Sequence, residues 1–244
     1  MNTGKGQILE LLLEDGCRHM RLSCASSLIP SPGQYLLAGD GSDASLPVPL
    51  FHTDSAPDGF VHSTASTLVH RTTSTLVAAA PVPDSWSPGL VLTLRGPLGR
   101  GFALPLSARK VGLVAFDDKR SGPARLRGLI QPALQQEAAV VLVCSSTPDS
   151  LPDDVEVQPL SALPEIVEWA DYLAFDVRRE KLHQLRERLG KLNQLAAGKA
   201  AQALIRTPVP CGGVADCGVC AVNLKSDWKL ACKEGPVFDW NEVG

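Results

Sequence analysis

Residues 211–238 read CGGVADCGVCAVNLKSDWKLACKEGPVF. Four of the chain's seven cysteines, Cys211, Cys217, Cys220 and Cys232, fall in this stretch, while Cys17, Cys24 and Cys144 are scattered far upstream. Four thiols packed this densely among glycines form a ligand set, suited to tetrahedral zinc or to an iron–sulfur cluster. Structural zinc usually takes two well-separated Cys-x-x-Cys knuckles. Here one such pair, Cys217 and Cys220, is preceded by Cys211 and followed by a distant Cys232. That three-plus-one layout is like the plant-type arrangement for a two-iron cluster. Gly212, Gly213 and Gly218 let the backbone take positive φ, approach inorganic sulfur closely and turn N–H groups toward it. A [2Fe-2S] cluster on the four cysteines is therefore the expected occupant, with zinc as the alternative. Disulfides fit least, because the cysteine count is odd and the chain is long enough to bury a core without staples.

Composition sets broad bounds. The chain has 244 residues, 44% hydrophobic and 20% charged, with a formal net charge of -3. These are ordinary values for a soluble protein of one to three small domains, and the charge gives no electrostatic reason to expect nucleic acid. No apolar run is long enough to span a membrane. The N-terminus, MNTGKGQILELLLEDG, carries acidic residues where a signal peptide would be apolar. A cytoplasmic chain with reduced thiols is expected.

Three regions are expected. Residues 1–106 are rich in Ser, Thr, Pro and Val, with short β-like runs at 34–37, 74–78 and 90–94. They suit a small antiparallel barrel, with residues 31–58 read as loop from their Pro, Gly, Ser and Asp content. Residues 107–197 alternate apolar runs (111–116, 138–144, 155–157, 172–175) with helical stretches (123–136, 163–169, 180–195). This alternation implies a doubly wound parallel sheet of nucleotide-binding type. Leu182, Leu185, Leu189 and Leu192 recur at helical spacing, as expected of one core-facing stripe. Residues 198–244 form the cysteine-rich segment. The five histidines (His19, His52, His62, His70, His183) show no ligand spacing and are expected on the surface or in loops. Trp228, Trp240 and Phe238 are expected to shield the cysteine segment. Lys225, Lys229 and Lys233 could steer an acidic partner or form a solvated face. Ser145 and Ser146 lack the context of a nucleophile elbow.

With these residues in view, the tail resembles the electron-transfer subunit of the two-subunit, NAD-linked dihydroorotate dehydrogenases, in the ferredoxin-reductase-like superfamily. The match runs through Cys211-Gly212, Cys217, Cys220 and the run from Cys232 through Lys233, Glu234, Gly235, Pro236 and Val237 to Phe238. The loop between Cys211 and Cys217 is one residue longer than usual. Upstream, residues 32–35 (PGQY) resemble the family's Pro-Gly-Gln-Phe barrel segment, and residues 96–102 (GPLGRGF) its hinge between barrel and nucleotide domain. The resemblance implies a flavin-type barrel, a reductase-like α/β domain and a cluster segment. It also implies a flavin-containing catalytic partner subunit in a hetero-oligomer.

Other family features are broken. An Arg-Pro-x-Ser segment that contacts FAD corresponds to Val48-Pro49-Leu50-Phe51 here, and valine has no donor for a phosphate or flavin carbonyl. The family's Gly-x-Gly-Thr stretch corresponds to residues 70–73, in which Arg71, Thr72 and Thr73 could still meet FAD phosphate. The Gly-rich loop after the first sheet strand corresponds to 116–122 (FDDKRSG), where Asp117 and Asp118 would repel a pyrophosphate instead of cradling it. The Cys-Gly-Pro turn that faces nicotinamide in relatives corresponds to Phe175-Asp176-Val177. NAD is thus expected not to bind, and FAD binding is expected to be lost on the weaker ground of Val48 and Phe51. The expected function is a cluster-bearing electron relay between a flavin-containing catalytic partner and another carrier, with no catalytic residue of its own. Two alternatives stand beside it: a complete FAD and [2Fe-2S] subunit that reduces NAD, and a non-redox scaffold with a zinc tail.

Overall fold

The computed structural model describes residues 2–14, 16–42, 46–54, 73–79, 82–116, 123–148 and 151–243. The first six strands are β1 (Asn2–Glu14), β2 (Cys17–Ala25), β3 (Tyr35–Gly39), β4 (Val48–Asp54), β5 (Thr73–Ala78) and β6 (Val91–Leu98). They close an antiparallel barrel in the order β1-β2-β5-β4-β3-β6. Period-two alternation explains the closure. On β6, Leu92 and Leu94 are buried while Val91 is exposed, and on β2 Met20, Leu22 and Cys24 point inward. Ile8, Leu36, Leu50 and Leu76 complete the filling. Strand β3 coincides with the β-like run expected at 34–37, whereas β4 lies in the part of 31–58 expected to be loop. The apolar runs at 35–38 and 48–51 outweigh their Pro and Gly neighbours, because both have a barrel interior to bury against.

Six further strands build a sheet in the order β14-β11-β10-β7-β8-β9, with β14 at Val237–Asp239 on one edge. Its parallel members are β7 (Lys110–Phe116), β8 (Ala139–Cys144), β9 (Val155–Pro159), β10 (Tyr172–Arg178) and β11 (Ala200–Arg206). The chain between them forms a 3₁₀ segment at Pro123–Leu129 and helices α1 (Ile130–Gln135), α2 (Leu163–Trp169), α3 (Leu182–Leu189) and α4 (Leu192–Ala197). Alternate residues of each strand feed two separate cores. Leu173, Phe175 and Val177 face α2 and α3, while Tyr172 and Ala174 face α1. Two covered faces on a parallel sheet make it doubly wound. Leu182, Leu185 and Leu189 are buried and Leu192 packs against the same core, so the leucine stripe is a core face. It is broken at Gly190 (φ 52) between α3 and α4.

The chain from 198 onward contributes β11 and the edge strand β14 (Val237–Asp239), which runs antiparallel to β11. A small ribbon, β12 (Ala221–Asn223) paired with β13 (Trp228–Leu230), and the final turn α5 (Trp240–Val243) complete it. Trp240 is fully buried, stacks on Phe175 at 4.5 Å and donates from its indole N–H to Asn193 at 2.9 Å. Among the described residues, no helix is long and apolar enough to cross a membrane.

The three segments singled out in sequence meet at one junction between barrel and sheet. Arg100 N–H donates to the Gly235 carbonyl at 2.6 Å, and Phe102 N–H to the Pro32 carbonyl at 2.8 Å. Gln34 Nε2 reaches the Gly99 carbonyl at 3.0 Å. Gly33 (φ +86) lies so close to Val237 that a Cβ would sit 2.6 Å from its Cγ2. The junction fixes the cysteine segment against the barrel wall formed by β3 and β6.

Candidate metal centre

The loop 211–220 carries its conformation in its glycines. Gly212 (φ 67), Gly213 (φ 75) and Gly218 (φ 69) take the left-handed region, and so does Ala215 (φ 65). A backbone that turns this way repeatedly presents successive N–H groups to its concave side, an arrangement suited to anions and to cluster sulfurs. The Cys211 sulfur receives those groups. Burial acts to raise its pKa, but hydrogen bonds from Cys217 and from the backbone N–H of Ala215, Gly213 and Val214 outweigh it and bring the thiol down to about 7.

The four cysteines converge from two sides. Cys211 and Cys217 lie on the outer loop with Asp216, and one potential ligand atom from each of the three falls within 4.8 Å of the others. Cys220 and Cys232 lie inside, 1% and 5% exposed, with their sulfurs 3.2 Å apart. That separation is well beyond a disulfide bond of about 2.05 Å, and all seven cysteines are free. The β12–β13 ribbon brings the inner pair together, with Ala231 N–H donating to the Cys220 carbonyl at 3.0 Å. Burial, followed by the Cys220 hydrogen bond and the charges of Cys220 and Cys211, pushes the Cys232 thiol up to about 12. Crowded sulfurs without a counter-charge resist ionisation together, and iron or zinc supplies that charge. The donor set, the N–H-lined loop and the inward pair all fit a cluster held by Cys211, Cys217, Cys220 and Cys232.

Other expected residues separate. Phe238 is buried and packs the tail, whereas Trp228 is 60% exposed and shields nothing. Lys229 pairs with Glu242 at 2.8 Å, and Lys225 and Lys233 are exposed. His19 and His52 are buried on barrel strands, contrary to the expectation of surface or loop positions: His52 shares the inward step of Leu50 on β4, while His19 is buried on the opposite step of β2 from Met20 and Leu22. His183 is exposed, and His62 and His70 lie outside the described residues. Arg71 and Thr72, expected near FAD phosphate, also lie outside them, as does the side chain of Thr73, and so does the loop 117–122.

A cavity of about 480 Å³ opens between barrel and sheet, with Ala231, the residue before Cys232, on its wall. Tyr35, Val48, Pro49 and Phe51 line it from the barrel, and Arg125, Arg178 and Arg206 from the sheet side. Phe175, Asp176 and Val177, matched in sequence to a turn, are strand residues of β10. Asp176 is fully buried and accepts from Arg125 Nε at 2.8 Å and from Arg206 Nε at 2.6 Å. Sequence reading missed this triad: its members are far apart in the chain, and only the parallel β10–β11 register sets Asp176 beside Leu204 and near Arg206. Tyr35 and Arg95 were missed as neighbours of the cysteines for the same reason, whereas Asp216 adjoins Cys217 in the sequence and is overlooked because a carboxylate is no part of a four-thiol pattern.

Comparison with known proteins agrees with this geometry. Residues 211–244 match the family described as the iron–sulfur cluster binding domain of dihydroorotate dehydrogenase B. No curated protein sequence matches the chain. Among solved structures, an NADH-dependent reduced ferredoxin–NADP oxidoreductase superposes with a TM-score of 0.66 at 14% identity, covering 100% of this chain and 91% of that one. An Amycolatopsis cytochrome P450 reductase gives 0.56 at 15% identity, over 82% and 70% of the two chains. The FAD/NAD-binding domain of a Vibrio cholerae nitric oxide dioxygenase gives 0.53 at 14%, over 84% and 98%. Identities this low speak for fold alone. The chain therefore joins a C-terminal segment that matches an iron–sulfur cluster binding domain to a ferredoxin-reductase-like fold, and in that combination it resembles the electron-transfer subunit of dihydroorotate dehydrogenase B.

Proposed function

We propose that the chain is an electron-transfer subunit that holds a [2Fe-2S] cluster on Cys211, Cys217, Cys220 and Cys232. It would pass electrons to or from a flavin-containing catalytic partner of the dihydroorotate dehydrogenase kind, without an NAD site of its own. The observation that carries the reading is the gathering of these cysteines into two close pairs, Cys211 with Cys217 on a glycine loop and Cys220 with Cys232 at the β12–β13 ribbon, within the segment that matches the cluster-binding family. When bound, such a cluster supplies a one-electron redox couple. The chain's own residues would fix its place: the inner cysteines by burial under β12 and β13, the outer ones through backbone N–H groups. Cys217 is exposed, which puts one ligand at the surface where a partner's carrier can approach.

The reading without NAD is supported by the sequence after β7, where Asp117 and Asp118 stand in place of a Gly-rich phosphate loop. In doubly wound folds the C-terminal end of the strands is where a nucleotide binds. FAD is expected to be weakened at Val48, which lines the cavity but offers no donor. One observation favours the fuller reading with FAD: the cavity lies against Tyr35, Pro49 and Phe51 and reaches Ala231, the residue before Cys232. An anaerobic absorption spectrum of the purified chain, with iron, acid-labile sulfide and extracted flavin quantified, separates these. Iron and sulfide near about two per chain without flavin support the relay. Stoichiometric FAD beside the cluster would restore the complete subunit, and zinc without iron would remove both.

A further inference from the structure

We propose that Tyr35 and Arg95, two residues of the barrel wall, donate hydrogen bonds to the iron–sulfur cluster and raise its reduction potential. The inference rests on the reading that the four cysteines hold a cluster, and extends it to groups outside the cysteine segment.

Tyr35 is 2% exposed, and its hydroxyl is buried with no hydrogen-bond partner among the described residues. The Nη2 of Arg95 is in the same position. Buried donors without acceptors are rare, and each calls for an explanation such as an ion or cofactor. The two point at one place. A Cβ on Gly213 would stand 3.5 Å from the Tyr35 hydroxyl and 3.6 Å from Arg95 Nη2, and one on Gly212 would stand 3.4 Å from Arg95 Nη2. Arg95 also shares the wall of a second cavity with Cys211 and Gly212. Cys232, Cys220 and Cys211 all lie close enough to the Tyr35 hydroxyl for a negative charge on their sulfurs to act on it, and Arg95 lies close enough as well. Even if the phenol oxygen accepted from Arg95, its own proton would still need an acceptor. The cysteine sulfurs are the groups near that hydroxyl that can carry negative charge.

The chemistry follows from charge. Reduction adds an electron to the cluster, so a donor or cation beside it stabilises the reduced form more than the oxidised one. Positive φ at Gly212 and Gly213 keeps the loop free of side chains on the side these donors face. Tyr35 stands where the resembled family segment reads Pro-Gly-Gln-Phe, so this hydroxyl is a feature of the present chain. Tyr35 also lines the 480 Å³ cavity, which makes it the side chain shared by that cavity and the cysteine loop. Tyr35 and Arg95 are thus positioning residues for the cluster's electronics, and neither is a ligand.

The test is an EPR-monitored redox titration of the purified full chain and of the Tyr35→Phe and Arg95→Met variants, after iron and sulfide have been counted in each. Phenylalanine keeps the ring and removes only the oxygen. In each variant the oxidised-to-reduced ratio at a fixed potential should rise several-fold to about tenfold, the latter being a fall of about 59 mV for a one-electron couple. Arg95→Lys should recover part of the shift. Variants that keep full iron and sulfide but titrate as the wild type would overturn the inference and leave the cluster reading intact. A wild-type chain that carries zinc and no iron would overturn both.

Discussion

Gly99 abuts Pro236 so closely that a Cβ built on the glycine would stand 2.4 Å from the proline Cδ, and 2.6 Å from the Gly235 carbonyl oxygen. The hinge that ends the barrel and the run that follows Cys232 are therefore one packed unit. Gly99 also has φ +75, which disfavours any side chain. Gly99→Ala should combine backbone strain with overpacking and cost about 2–4 kcal/mol. Urea unfolding reads this directly, and an unchanged midpoint would mean that the junction yields freely.

Asp176 is predicted to matter more to stability than either arginine it binds. Asp176→Asn leaves two guanidinium groups facing each other in a buried site, at a cost of about 3–5 kcal/mol. Arg206→Gln removes a partner that is 16% exposed and leaves Asp176 its bond to Arg125, so its cost should be smaller. Unfolding midpoints for the two variants in the reverse order would contradict the assignment.

Much of this architecture is legible in the sequence, and the misses have physical causes. The strands of the sheet announce themselves as apolar runs because both of their faces are covered. Helix α2 was expected at its observed residues, since Pro164 and Glu165 favour a helix start. Strand β3 is legible as the run at 34–37, but β4 is not, because local Pro and Gly content says nothing about a barrel interior waiting to be filled. The cysteines were found by spacing alone. Tyr35, Arg95 and the Asp176 triad were not, because barrel closure and parallel register bring them together across long stretches of chain.

The buried thiol of Cys24 gives an alkaline signature. Burial raises its pKa from 9.0 to about 11. The folded state keeps a proton that the unfolded state releases, so this contribution is fully present below pH 9 and is lost as pH rises toward 11. The loss is on the order of 2–3 kcal/mol. Cys24→Ala should flatten the fall in stability across that window, as followed by urea midpoints at pH 8, 9, 10 and 11. An unaltered slope would mean that other groups set it.

The cysteines divide into two classes. Cys17→Ala, Cys24→Ala and Cys144→Ala should each leave iron content unchanged. Cys220→Ser should abolish it, because that sulfur is buried opposite Cys232 and nothing from solvent can take its place. Cys217→Ser should instead leave a residual, oxygen-ligated or labile cluster, since Cys217 is exposed and Asp216 stands beside it. Iron and sulfide counts across the five variants check this ordering, and a dependence on Cys144 or Cys24 would contradict it.

The central claim is that four sulfurs of this segment hold a two-iron cluster. The most direct measurement is the EPR spectrum of the purified chain before and after reduction by dithionite. A two-iron cluster is silent when oxidised and gains about one unpaired electron per chain on reduction, and that signal should vanish in Cys220→Ser. A chain that stays silent after reduction and carries zinc in place of iron would contradict the account.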